Sequence, residues 1–196
     1  MFGKLSTRPA AGFTLPELLM AMAVASVTLT ALMIFTMFAG KSFAAIENYV
    51  DLEQKTQTAL DVMTRDIRQA QRLTGFGTAT FNGRKVTNSV SFLDDDGTPL
   101  SFAYTNMPSG KDNEPVGVLM RNKNGAVSML LTNVDYLSFN LFQRNPVGGS
   151  VYDQHTFSDT SRCKLISVSW VCSRSILGSK INTESVQTTK IIIRKQ

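Results

Sequence analysis

A chain of 196 residues, 43% of them hydrophobic and 18% charged, has enough apolar material for one modest globular core and little more. Its 20 basic and 15 acidic residues leave a net charge of only +5, too small for the polycationic surface of a dedicated nucleic-acid binder. A single histidine, His155, between Asp153 and Asp159, supplies neither a histidine metal cluster nor a Ser-His-Asp arrangement, so the chain reads as non-enzymatic, with no metal or cofactor.

Residues 1–12 contain Lys4 and Arg8 and no acid, and residues 18–40 contain no Asp, Glu, Lys, Arg or His. A helix needs about 20 apolar residues to cross a hydrocarbon layer roughly 30 Å thick, so this run is long enough to span a bilayer. Basic residues are retained on the cytoplasmic side, which predicts a cytoplasmic N-terminus and an extracytoplasmic chain after about Gly40. Residues 1–12 then read as a leader, not as structure. Two plainer readings compete: a secretory signal cut near Ser42-Phe43-Ala44, and an uncleaved single-span anchor. Neither explains Glu17, a carboxylate just inside the span that is costly unless an opposite charge meets it, and the natural partner is an amine.

Past the span, residues 41–75 predict a continuing helix that becomes amphipathic. Ala45, Tyr49, Leu52, Thr56, Leu60, Met63, Ile67 and Ala70 recur every three or four residues, with Glu53, Lys55, Asp61, Asp66 and Arg68 off that stripe. Asp51 with Lys55, and Asp61 with Arg65, stand at the spacing of helical ion pairs. Gly75 and Gly77 are expected to stop the helix after Thr74.

Residues 76–196 change to short alternating segments, which predict one mainly antiparallel β domain. Val90 to Leu93 and Leu100 to Tyr104 form a hairpin around Asp94-Asp95-Asp96-Gly97, read as a turn with a solvated acidic tip in preference to a calcium loop. A second hairpin joins Val118 to Met120 with Val127 to Leu131 through Asn124-Gly125. Further strands cover Tyr136 to Phe142, the alternating Ile166, Val168, Trp170 and Cys172, and Thr188 to Arg194, with loops at Gly148-Gly149-Ser150 and Leu177-Gly178-Ser179.

Gly12-Phe13-Thr14-Leu15-Pro16-Glu17, with bases before it and an apolar run after it, resembles the N-terminal signal of type IV pilins and type II secretion pseudopilins. The resemblance implies that a prepilin peptidase cuts between Gly12 and Phe13 and N-methylates Phe13. It also implies that Glu17, fifth in the mature chain, pairs with the Phe13 amine of a neighbouring subunit to set register. Pro16 falls in the first helical turn, where its missing N–H does no harm, and Gly12 offers the peptidase an unhindered backbone. The stretch Leu60 to Ala70 and the order of the later strands are similar to minor pilins of the PilW type and pseudopilins of the GspJ type.

The implied fold is α+β, a pilin α/β-roll: residues 13–40 as transmembrane and filament-core helix, 41–75 as its amphipathic continuation, and 76–196 as a β-rich domain. The implied partners are prepilin peptidase, other pilin or pseudopilin subunits, an inner-membrane assembly platform and lipid. The implied function is a structural subunit of a pilus or pseudopilus; the alternative is a membrane-anchored periplasmic binding domain outside any filament. Many pilins close a C-terminal loop with a disulfide, and Cys163 and Cys172 could do so only if the chain turned between them. As one strand, those residues would hold the sulfurs roughly 30 Å apart at about 3.3 Å per residue, leaving buried or interchain thiols. Arg144, Arg162, Lys164, Arg174, Lys180, Lys190, Arg194 and Lys195 gather in the C-terminal part, where dispersed bases read as solubility and edge protection in preference to a DNA platform.

Overall fold

The computed structural model describes residues 12–108, 115–144, 152–154, 160–174 and 184–194. The chain divides into two compact units, Met1–Ala44 and Ala45–Gln196. The described part of the first unit is almost wholly helical, being the opening of α1 (Leu15–Gln69). The helix begins where the Thr14 carbonyl accepts the Leu18 N–H at 3.1 Å, which puts Pro16 in the first turn.

The second unit holds the rest of α1 and two antiparallel sheets. Strands β1 (Arg72–Phe81), β2 (Arg84–Leu93), β3 (Pro99–Pro108), β4 (Pro115–Lys123) and β5 (Ala126–Thr132) form a five-stranded meander in chain order. Strands β6 (Val134–Arg144), β7 (Tyr152–Gln154), β8 (Cys163–Ser173) and β9 (Glu184–Ile192) form the second sheet in the order β7-β6-β8-β9. Asn133, with φ of 60°, links the two sheets in a conformation that asparagine tolerates better than most residues. At Gly117 they come so close that an added Cβ would run into the Val134 carbonyl and lie 2.7 Å from the Tyr104 ring.

Both expected hairpins form, with Val90 opposite Phe102 and Asn122 opposite Val127. Asn124 and Gly125 have φ of 51° and 83°, the paired positive values of a tight hairpin turn. A third hairpin, β1–β2, turns in the same way at Asn82 and Gly83. Its first strand corrects the expected helix end. α1 stops at Gln69, Gln71 donates its N–H to Leu93 at 2.8 Å, and Gly75 and Gly77 lie inside β1 beside shifts in its register. Ala70 and Leu73, both buried, draw the chain onto the sheet before those glycines are reached. β9 likewise starts before the expected Thr188 and ends at Ile192.

One core joins the helix to both sheets. The buried face of α1 is Leu52, Thr56, Ala59, Met63, Asp66 and Ile67. It packs with Phe92, Phe102 and Leu119 from the first sheet and with Phe139, Val168 and Trp170 from the second. Tyr49, expected on this face, is exposed, while Asp66, expected off it, is 2% exposed.

Asp66 is tolerated there because the Arg121 guanidinium on β4 donates to its carboxylate at 2.6 Å. Arg65, expected to meet Asp61, lies 3.7 Å from the other oxygen of Asp66. Nearby, Asp94 is buried against the Lys123 ammonium at 2.6 Å, so it is no solvated turn tip; Asp95 and Asp96 are exposed as expected. Towards the other end of the helical segment, Asp51 takes Lys55 at 3.0 Å, as the spacing predicts, and also Arg174 at 2.6 Å. Glu53 accepts from Ser185 and Gln187 on β9, each at 3.0 Å. Ion pairs thus tie the helix to β4 at one end and to the residue after β8 at the other, and hydrogen bonds to Glu53 tie it to β9.

Burial opposes ionisation of Asp94, but the Lys123 hydrogen bond and the neighbouring charges outweigh it and hold the carboxyl below its ordinary 3.8. The same bond raises Lys123 above 10.5. A depressed carboxyl stabilises the fold at neutral pH and loses that contribution as pH falls through its folded value; the raised amine loses its own only as pH climbs past 10.5. Lys123→Met is expected to cost on the order of 2 kcal/mol at about pH 7. The difference from the wild type should shrink as pH falls below 3.8 and Asp94 takes up its proton, as urea unfolding across a descending pH series would measure.

Candidate functional site: the head of the apolar helix

Gly12, Phe13 and Thr14 precede the helix without regular structure, and Phe13 is 82% exposed. A Cβ added at Gly12 would meet no atom within 4 Å, so nothing in this chain's own packing requires glycine there. Glu17 occupies the first turn of α1, where the helix dipole and unpaired N–H groups favour a carboxylate. Gly12, Phe13 and Glu17 therefore share one end of one helix.

Behind this head runs a helical stretch of mean hydropathy 2.3 with none of its residues buried. Leu18, Met22, Val27, Met33, Phe35 and Phe38 are each more than half exposed, on all sides of the helix. Such a surface requires cover from lipid or other apolar helices. The polar groups along it are already satisfied. Ser26 donates to the Ala23 carbonyl at 2.8 Å, Thr28 to Ala25 at 2.9 Å, Thr30 to Ser26 at 2.8 Å and Thr36 to Met33 at 2.9 Å. Every one of these hydroxyls bonds within its own helix, as a low-dielectric surrounding demands.

Residues 7–38 match the family described as the prokaryotic N-terminal methylation motif. No curated protein and no solved structure matches the chain. The N-terminal segment thus carries a type IV pilin-like prepilin signal, and it continues into a helix long and apolar enough to cross a membrane. The motif's family is structural, and it implies processing by prepilin peptidase and assembly with other pilins.

The remaining candidates do not gather into a second centre. Among the described residues no group of His, Cys, Asp and Glu could hold a metal ion. His155, Lys180, Lys195 and the two expected loops lie outside the described residues. Of the C-terminal bases, Arg174 is engaged by Asp51 and by Asn48, so the set does not act as one free surface. The local pattern gave Asp51 its Lys55 partner but not Arg174, and it placed Glu53 and Asp66 only off the apolar stripe; the further partners, Arg174, Ser185, Gln187 and Arg121, lie far along the chain.

Cys163 and Cys172 are both free and buried, at opposite ends of β8. An unbroken strand keeps their side chains far beyond bridging distance. Burial pushes the Cys163 thiol up to about 11 and that of Cys172 up to about 12, so neither forms thiolate near neutrality. A thiol reagent should therefore label neither cysteine in the native protein at about pH 7.5 and both in denaturant, with mobility on gels unchanged by reductant.

Proposed function

We propose that this chain is a minor pilin or pseudopilin subunit. Prepilin peptidase cuts it between Gly12 and Phe13, Phe13 is N-methylated, and the mature chain enters a type IV pilus or type II secretion pseudopilus through α1. Before assembly it sits in the inner membrane, N-terminus cytoplasmic and β domain periplasmic. The observation that carries this reading is a carboxylate at the head of a long, uncovered apolar helix, within a segment that matches the methylation motif.

The physics of the head follows from the helical rise. Cutting after Gly12 frees an ammonium at Phe13, and four residues at about 1.5 Å each separate it from Glu17 by roughly 6 Å along the axis. A second subunit displaced by about that distance sets its amine beside this carboxylate. In an apolar surrounding each charge depends on the other, so a misregistered neighbour leaves two buried charges unpaired. The apolar surface supplies adhesion without direction, and the ion pair supplies the direction. N-methylation retains the positive charge and sheds part of its hydration.

Mass spectrometry of the mature protein should find an N-methylated Phe13 at its start. An intact Met1, or a start near Ala45, would favour a simple anchor or a secretory signal instead. Glu17→Ala should leave processing intact and lower recovery in filaments by roughly tenfold or more, the effect of losing about 1.4 kcal/mol of pairing. Wild-type incorporation of that variant would remove the register role.

A further inference from the structure

The β2 arm of the β1–β2 hairpin runs close to β6. Leu137, Phe139 and Leu141 are buried in the core, and the alternation of the strand puts Tyr136, Ser138 and Asn140 on its other face. Between β6 and the hairpin lies a cavity of about 380 Å³, to which Phe139 and Leu141 also contribute, within the roughly 300–1,000 Å³ of ligand pockets. Beside it a second cavity of about 360 Å³ runs from Phe81 to Tyr104 and Asn106. The Phe81 and Tyr136 rings, with centroids 5.0 Å apart, contribute one ring to each cavity and brace one another.

The first cavity combines three kinds of side chain. Phe76 and Tyr136 offer aromatic surface, Thr78, Ser138 and Asn140 offer hydroxyls and an amide, and Lys85 is the one charged side chain among its described lining residues. Aromatic faces suit the C–H face of a sugar ring, while an amide that both donates and accepts suits its adjacent hydroxyls. A lone ammonium suits a single carboxylate. A phosphate, with up to two negative charges, is ordinarily met by more than one cation or by bare N–H groups at a helix start, whereas the described lining here offers one ammonium and lies wholly on strands. An acidic peptide would more naturally extend a sheet edge, whereas this cavity opens between a hairpin and a sheet face. We propose that the cleft binds an acidic saccharide, with a uronate carboxylate on Lys85, its hydroxyls on Asn140, Ser138 and Thr78, and the next, uncharged unit in the neighbouring cavity.

This binding is independent of the assembly reading and can be tested on the full-length chain in detergent micelles. Calorimetry with trimers of galacturonate, glucuronate and mannuronate should detect binding of at least one, and its methyl ester should bind more weakly. Lys85→Met should weaken that binding by roughly tenfold and abolish the preference for acid over ester; Asn140→Ala should weaken both forms. Lys85 and Asn140 are both exposed, so both variants should keep the wild-type unfolding curve, checked before titration. Absence of uronate binding, indifference to Lys85→Met, or equal binding of a pentaglutamate peptide would overturn the proposal.

Discussion

The first unit presents apolar surface that the chain does not cover. A run of mean hydropathy 2.3 with none of its residues buried has no favourable state in water, so everything it does depends on what surrounds it. Hydrophobic cover is non-directional and would accept neighbours at any height or rotation. A single carboxylate at the head of such a helix changes this, because a charge short of water discriminates between positions that apolar contact treats alike. The same segment can therefore hold a chain in lipid and later fix its place among other helices.

The second unit solves a different problem. Its helical segment shares one core with a five-stranded and a four-stranded sheet, and apolar contacts bring the three together. An ion pair and charge-assisted hydrogen bonds then decide how they sit. Asp66 with Arg121 engages the first sheet, and Glu53 with Ser185 and Gln187 engages the second. Each acid is partnered on arrival and stranded if displaced, so the helix is held against sliding over the sheets.

Much of this was legible in the sequence, and the exceptions have physical causes. The span, Glu17 and the Asn124-Gly125 turn rest on residues adjacent in the chain, and local reading finds such features. Asp66 was misplaced because only Arg121, a distant partner on β4, makes its burial tolerable. Gly75 and Gly77 look like a helix stop, yet they serve an irregular strand, and reading them as punctuation hid the Asn82-Gly83 hairpin that follows. The division into two sheets turns on Asn133 alone, which nothing nearby marks as a corner. The cysteines went the other way. Continuity of one strand was visible in the alternation around Trp170, and it was enough to keep them apart.

The hydroxyls of Ser26, Thr28, Thr30 and Thr36 carry a mechanical consequence. Because each donates to a carbonyl of its own helix, none has a proton left to give an adjacent one. Where helices of this kind lie side by side, resistance to sliding along this stretch would have to come from the packing of its apolar side chains, not from hydroxyl donors.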